Sequence, residues 1–400
     1  MNRTDAALPG RRAGHSLEQS FYTDPEIYRA DIERVFLRSW LYAGHASRIP
    51  RPGDYFLFAI GEESLIVIRG QGDQVHALLN VCRHRGSRIC LEPEGSARSL
   101  VCPYHQWVYS ADGSLLNARL MTDDFDRSAY GLQRAHVRRL EGLIFVCLAE
   151  TPPDFDEFER LMTPRLAPHR LAEAKVAATQ RYEIAANWKL VEENSRECYH
   201  CGAGHPQYSR AVGFAAAIGS GELAARNEAV ERERRSRLAA LGVETETVGF
   251  DDGRWFHFRR FFLRDGMVTE SMDGKPVAPL MGGIGDYSSG VFAIVALPNL
   301  LLEANPDYVM TLRIAPAAPR LTVAEVSWLV QADAREGVDY DLDRLTEFWR
   351  LTSEQDWKLC ENNQRGVNSR YYRPGPYAPD EGGVEQFVDW YVKRMAEPES

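Results

Sequence analysis

Residues 82–105 read CRHRGSRICLEPEGSARSLVCPYH. Cys82 and His84 form one pair, Cys102 and His105 a second, and seventeen residues lie between His84 and Cys102. Each pair follows a β-prone run, VHALLNV before the first and SLV before the second, so each falls at a loop tip. Gly86 and Pro103 shape the two loops. A lone Cys or His is ordinarily a core residue. Two thiols and two imidazoles offered by two loop tips are a metal-binding set.

The mixture within each pair narrows the metal. Zinc fingers put two Cys in one knuckle and two His in the other, whereas here each knuckle holds one of each. A Rieske 2Fe–2S centre requires that arrangement, with two Cys on one iron and two His on the other. Cys90 has no place in the pattern and reads as a core thiol.

Working outward, residues 41–149 read as a small all-β domain: GDYFLFAI, SLIVIRG, VHALLNV, QWVYS and GLIFVCL are short strands, with tight turns at Gly70 to Gly72 and Asp112-Gly113. Residues 1–16 are polar and read as a mobile tail. Residues 17–40 contain a helix, TDPEIYRADIERVFLRSW, with Thr23 or Asp24 as cap, Pro25 in its first turn, and Tyr28, Ile32, Val35 and Phe36 on one face. From 150 to 400 helices and strands mix. A long late helix over DLDRLTEFWRLTSEQDWKLCENNQRG and a closing one in VEQFVDWYVKRM follow the strands. The fold class is α+β, with the β-domain inserted near the N-terminus of a larger domain built on an antiparallel sheet.

Residues 187–206, NWKLVEENSRECYHCGAGHP, hold a second constellation. Glu197 and His200 are spaced to share one helix face. His200 and His205 are about 140° apart on an unbroken helix, so Gly202 and Gly204 must end it, and Pro206 biases His205 toward extended backbone. A facial triad needs a carboxylate as third ligand. Leu345, Trp349, Thr352, Asp356, Leu359 and Asn363 form the inward stripe expected of the late helix, which puts Asp356 at the core and leaves Glu354 and Glu361 outside it. A buried ion pair is the competing account of Asp356.

Composition excludes other classes. Net charge is −10 with scattered basic residues, which argues against nucleic acid, since phosphate neutralisation needs clustered Lys or Arg. The run VERERRSRLAA reads as a solvated helix face. No apolar run is long enough to span a membrane, the start lacks a signal-like segment, and Pro298 interrupts GVFAIVALPNLLLE. A cytoplasmic location is expected. Seven cysteines in such a chain are expected to stay thiols rather than form a disulfide framework. No nucleotide-binding glycine motif occurs, so nicotinamide chemistry would reside in another chain.

VCRHRGSRIC…VCPYHQWVYSADG, with Trp107 just past the second His, together with the 187–206 segment, resembles the α-subunits of Rieske non-heme iron oxygenases, the aromatic-ring-hydroxylating oxygenase family, over roughly residues 17 to 395. The resemblance implies a Rieske domain inserted into a helix-grip (START-like) catalytic domain. It implies that Cys82, His84, Cys102 and His105 hold the 2Fe–2S cluster, and that His200, His205 and Asp356 hold a mononuclear Fe(II). Glu197 stands where the family bridges the two metals across a subunit interface, and Asn194 where it has an Asn near the iron. A homotrimer and a separate flavin- or ferredoxin-type reductase fed by NADH or NADPH are implied with it.

Within that family, Glu197, ENSRECYHCGAGHP, SMDGKP and ENNQRGVNSRYYRPGPY look like the branch that oxidises N-methyl groups of glycine betaine, stachydrine or choline, with formaldehyde release. The alternative is an aromatic-ring dioxygenase; a zinc-stabilised or helix-grip ligand-binding protein is the non-enzyme alternative. Aromatic faces hold quaternary ammonium groups, and RWFHFRRFFL offers Trp255 and Phe258, with Tyr287 beyond. Strand alternation puts aromatics on both faces, so some of these are core, and His257 reads as a packing or hydrogen-bonding residue.

Overall fold

The computed structural model describes residues 12–217, 221–240, 244–248 and 254–397. Leu37–Phe155 is one compact unit, and the chain on either side of it forms another. The insertion thus extends beyond the expected 41–149 at both ends. Trp40 explains why: its indole N–H donates to the Pro153 carbonyl at 2.7 Å and its ring packs on Phe155.

The inserted unit contains β1 (Leu41–His45), β2 (Asp54–Ile60), β3 (Glu63–Arg69), β4 (Val75–Leu79), β5 (Glu94–Ser96), β6 (Leu100–Val101), β7 (Val108–Tyr109), β8 (Leu115–Asn117), β9 (Arg134–Leu140) and β10 (Leu143–Cys147). One antiparallel sheet runs β1-β10-β9-β4-β3-β2-β5 and a smaller one β6-β7-β8. The first metal-type loop leaves β4, and the second joins β6 to β7. Ile66, Ile68, Leu78, Leu100 and Tyr109 pack with Cys82 and Cys102 in one buried cluster.

The larger unit is built on β11 (Ala174–Ile184), β12 (Phe256–Phe261), β13 (Val291–Ala296), β14 (Leu300–Ala304), β15 (Val309–Ala318) and β16 (Leu321–Gln331), ordered β11-β16-β15-β14-β13-β12 and antiparallel throughout. The helix Leu342–Val367 starts where the Asp341 side chain accepts the Arg344 N–H. Its buried residues include Leu345, Phe348, Trp349, Ser353, Trp357 and Cys360, several of which join strand residues such as Val326 in the core. This is the helix-grip arrangement. The expected stripe holds as far as Thr352 and then drifts. Leu359 and Asn363 are exposed and Asp356 sits at the stripe's edge, because 3.6 residues per turn rotate the buried face onto Trp357, Cys360 and Gln364.

Two further expectations change. Of the expected mobile tail, residues 1–11 lie outside the described residues. Ser16 is tied down: its N–H donates to the Gly375 carbonyl and its hydroxyl meets Tyr372. The single helix expected within 17–40 is broken instead. Gln19–Thr23 stops, Asp24 caps Pro25–Ala30 by accepting the Glu26 N–H, and a wider turn follows over Asp31–Phe36. Asp31 is fully buried there, accepting from Trp188 Nε1 (2.8 Å), the Tyr391 hydroxyl (2.6 Å) and Lys189 Nζ. Lys189 is equally buried. Removing one partner of a buried pair strands the other. Lys189→Ala is therefore expected to lower stability by about 3–5 kcal/mol, read as a fall in the urea midpoint. An unchanged midpoint would show that Trp188 and Tyr391 alone suffice to hold Asp31.

Candidate functional site

In the inserted unit both loops make the same turn. The Gly86 N–H donates to the Cys82 carbonyl (2.9 Å) and the Gln106 N–H to the Cys102 carbonyl (3.0 Å). Gly86 and Gln106 are both left-handed, with φ of 76° and 62°. Buried Asn80 ties the first loop down, accepting from the Ile89 and Cys90 N–H groups and donating to the Cys90 carbonyl. Cys90 is a buried thiol pushed up to about 11 by desolvation, outside the loop tips.

Cys82 and Cys102 are free thiols and buried, whereas His84 is exposed and His105 half-buried. The two imidazole centroids are 4.5 Å apart, and Trp107 stacks on His84 at 4.9 Å. The His105 Nδ1 is a buried nitrogen without a hydrogen-bond partner. Burial pushes the Cys82 thiol up, as does the neighbouring Cys102. An orphan nitrogen beside two adjoining buried thiols fits a metal cluster that takes its bonds from them. Tyr109 accepts the Arg83 N–H at 3.1 Å, leaving its own proton for Cys82 Sγ at 3.3 Å. Hydrogen bonds to cluster sulfurs raise reduction potential. Tyr109→Phe is expected to lower it by about 40–60 mV, the equivalent of about 1 kcal/mol, in voltammetry of the purified protein; an unchanged potential would show that the contact carries no energy.

The second constellation starts with the helix Trp188–Asn194, whose cap Asn187 accepts the Lys189 N–H. Glu197 was expected on a helix face with His200, but the helix ends at Asn194. Ser195 Oγ bonds back to the Glu192 carbonyl, and the Glu197 carboxylate accepts the N–H groups of Tyr199 and His200, a local alternative to helical hydrogen bonds. A disulfide between Cys198 and Cys201 closes the same turn, correcting the expectation that every cysteine stays a thiol. One further turn, Cys201–Gly204, ends at His205 (φ −134°, ψ 73°), and Pro206 opens the next helix.

These breaks let the imidazoles face each other. The His200 and His205 Nε2 atoms are 3.1 Å apart, and Asp356 Oδ1 is 3.2 Å from the first and 2.8 Å from the second. Each ring is held by its other nitrogen. His200 Nδ1 donates to Glu197 Oε1 at 2.5 Å and His205 Nδ1 to Gln355 Oε1 at 2.9 Å, and Gln207 Nε2 in turn donates to Gln355 Oε1 at 2.7 Å. With both Nδ1 protons so used, neutral imidazoles turn two Nε2 lone pairs and a carboxylate onto one point, which fits a divalent cation; without one, a proton takes its place. Burial works against charge on His200, but Asp356 and Glu197 outweigh it and push it up to about 9. Burial would raise Asp356, yet hydrogen bonds from both imidazoles hold it below the usual carboxylate range. Two His and one carboxylate are the donor set of non-heme Fe(II). Cys201 also lies within 4.8 Å of the imidazole nitrogens, but its sulfur is committed to the disulfide. Asn194 Nδ2 is 3.5 Å from His200 Nε2. Glu354 pairs with Arg350, and Glu361 accepts the Ala185 N–H, both away from this centre. Sequence reading missed Gln355 and Gln207; adjacency to Asp356 was the only signal for the first.

A cavity of about 800 Å³ is lined by His200, His205 and Asp356. Tyr208, Phe214 and Trp349 give it aromatic surface; Trp349 was expected to face inward from the late helix, and the other two were not singled out from the sequence. Trp255 and Tyr287 are not part of its wall; Trp255 packs on Phe158 and Phe256. Phe258 borders the cavity, but its ring packs against Phe292 and beneath Arg165. Alternation along β12 instead turns His257 and Arg259 toward the cavity. Burial and the charges of Arg196 and Arg259 push His257 well below its ordinary value. On the other side of His200 a smaller cavity, about 410 Å³, receives Leu359 and Asn363.

Residues 39–129 match the Rieske [2Fe-2S] domain family, and residues 171–397 match the ring hydroxylating alpha subunit (catalytic domain) family. A glycine betaine monooxygenase oxygenase subunit of Chromohalobacter salexigens is 39% identical over 97% of this chain and 87% of its own length. One from Pseudomonas aeruginosa is 40% identical over 97% and 91%. In fold, the chain is similar to a solved quaternary ammonium Rieske monooxygenase studied for carnitine oxidation by gut microbiota, with a TM-score of 0.74, 23% identity and 97% of each chain covered.

Proposed function

From the premise that the chain belongs to the Rieske ring-hydroxylating oxygenase α-subunits, we propose that it hydroxylates an N-methyl group of a quaternary ammonium compound of the glycine betaine type, releasing formaldehyde. The observation that carries this reading is the cavity lined by His200, His205 and Asp356, whose other walls present Tyr208, Phe214 and Trp349. Aromatic faces hold a cation that can donate no hydrogen bond. The relatives matched over nearly the whole chain are named for the same substrate.

As a member of this family the chain is an oxidoreductase carrying a Rieske cluster and a mononuclear iron. In this reading Cys82, His84, Cys102 and His105 hold the cluster, and His200, His205 and Asp356 hold the iron, with Asn194 beside it. When bound, the two groups supply electrons and dioxygen activation. The chain's own side chains do the positioning. Glu197 and Gln355 hold the two Nδ1 protons so that both Nε2 atoms face the centre. Tyr208 and Trp349 turn a methyl group inward, and Phe214, its face taken by Arg259 at 4.1 Å, helps exclude water. One oxygen atom enters a C–H bond and the other leaves as water, consuming two electrons and two protons. The resulting carbinol loses formaldehyde and a proton, leaving a tertiary amine. Electrons come from NADH or NADPH through a separate reductase. The reading includes a homotrimer in the cytoplasm, with Glu197 joining His200 to a cluster imidazole of a neighbouring subunit. No described helix is long and apolar enough to cross a membrane.

With reductase and nicotinamide nucleotide supplied, formaldehyde is expected in a one-to-one ratio with glycine betaine consumed. Turnover of aromatic acids to diols, without formaldehyde from any betaine, would replace this reading with ring dihydroxylation.

A further inference from the structure

The wall opposite the late helix is a sheet whose register sets charges in a row. Arg259 on β12 pairs with Ala293 on β13, Ala293 with Glu303 on β14, and Glu303 with Met310 on β15. Directly paired residues share one face of a sheet, and all four line the cavity. Arg259 and Glu303 are two strands apart, about 9.5 Å between backbones, and between them stands a single methyl group.

Among the described residues neither side chain closes an ion pair. Glu303 is 4% exposed and its Oε2 has no hydrogen-bond partner. Behind it lies Glu270, 1% exposed, with Oε1 likewise unpartnered and Oε2 fixed by Asn305 at 2.9 Å. Burial, together with the pairing of the two carboxyls, pushes Glu303 well up, and burial takes Glu270 to about 7. Carboxyls that keep a proton because they are held out of water give it up more readily when a cation is brought to them. Arg259 stacks on Phe214 at 4.1 Å, and no described oxygen accepts a hydrogen bond from it. The nearby Glu231 is already engaged by Arg235 at 2.5 Å.

The polarity of the row is fixed by its neighbours. Tyr208 lines the same cavity, and its ring lies 6.5 Å from His205 and 5.8 Å from Trp349. The late helix rests on β11, Trp357 against Tyr182 at 6.0 Å, and β14 stands two strands nearer than β12 to that edge, so the Glu303 end lies on the triad's side and Arg259 on the far side beside Phe214. A ligand with a cationic head and a carboxylate a few ångströms behind it matches this order, with its N-methyl groups at the triad.

We propose that Arg259 and Glu303 select zwitterionic betaines in this cavity: the guanidinium takes the substrate carboxylate, Glu303 backed by Glu270 faces the quaternary nitrogen, and Ala293 leaves the space between. The inference rests on the N-methyl oxidation reading above and narrows it, since choline offers only half of the match.

Three probes separate the two ends: glycine betaine; choline, which lacks the carboxylate; and 3,3-dimethylbutanoate, which keeps the carboxylate but has carbon in place of the charged nitrogen. Binding is measured by anaerobic calorimetry on the metal-loaded protein. Arg259→Met is expected to weaken glycine betaine and 3,3-dimethylbutanoate on the order of 10- to 100-fold and leave choline unchanged. Glu303→Gln is expected to weaken glycine betaine and choline on the same scale and leave 3,3-dimethylbutanoate unchanged. Glu270→Gln should act in the same direction with smaller effect, which keeps the test open if Glu303→Gln does not fold. Equal weakening of all three probes, or none while the unaltered protein binds glycine betaine, overturns the inference and leaves N-methyl oxidation standing. An unaltered protein that binds neither glycine betaine nor choline, yet turns over aromatic acids, overturns both.

Discussion

Asp356→Ala abolishes turnover and empties the mononuclear site while the Rieske absorption spectrum stays as it was: that is the expected result for the third member of the triad. Among the described residues its Oδ1 is the only carboxylate oxygen close to both Nε2 atoms, at 3.2 and 2.8 Å. The residues proposed to hold the cluster lie in the Leu37–Phe155 unit, outside the unit that contains Asp356. Loss of an outer partner alone costs metal sites about 10- to 100-fold, so loss of a direct ligand is expected to cost more than about 100-fold in iron affinity. Glu354→Ala is the control on the same helix. It breaks only a partly exposed pair with Arg350, worth less than about 1 kcal/mol. Iron analysis and the visible spectrum of both variants decide the matter. Full iron content in Asp356→Ala would move the third-ligand role elsewhere.

Glu197→Gln should give the second-largest effect and a different signature. Both metals and the fold remain, but oxidation of the pre-reduced cluster slows by about 10- to 100-fold, on the scale of lost outer-shell partners. Glu197 does two jobs within its own chain. One oxygen holds the His200 Nδ1 proton, and the other accepts backbone N–H groups of Tyr199 and His200. Gln keeps an oxygen acceptor but loses the charge, so the turn survives while the polar bridge between imidazoles is weakened. If Glu197 only capped this turn, Gln would cost about 1 kcal/mol of stability or less and single-turnover cluster oxidation would run at the normal rate. That rate, followed optically with substrate and dioxygen present, distinguishes bridge from cap.

What could be read from the sequence was whatever depends on short spacing. The two Cys–His pairs, the Gly202/Gly204/Pro206 interruption between His200 and His205, and the β-domain's turn residues are all local. Asp356 was reached by counting turns, and the count was right in direction but loose in position, since Leu359 and Asn363 face the smaller cavity. The helix assigned to Glu197 failed because a carboxylate can satisfy backbone N–H groups two and three residues on, which propensity alone does not reveal. The cavity wall was out of reach for a different reason. Whether Arg259 faces Ala293 and Glu303 depends on register across three strands, and a one-residue slip would have turned each to the opposite face. Tyr208 and Trp349 come together from helices more than a hundred residues apart.

The interruption of the larger unit after Phe36 also sets an order of events during synthesis. The ribosome delivers residues 12–36 ahead of the inserted unit, with Asp31 among them, and the partner Lys189 follows 158 residues later. In between it makes all of Leu37–Phe155. At about 5–20 residues per second that delay is about 8–30 s. The smaller unit has its whole sequence available within that interval and can close on itself. The leading segment must wait, with its apolar Phe21, Ile27 and Phe36 side chains uncovered until the rest of their core exists. For a nascent chain, then, a segment made before the inserted unit finds its place only after it.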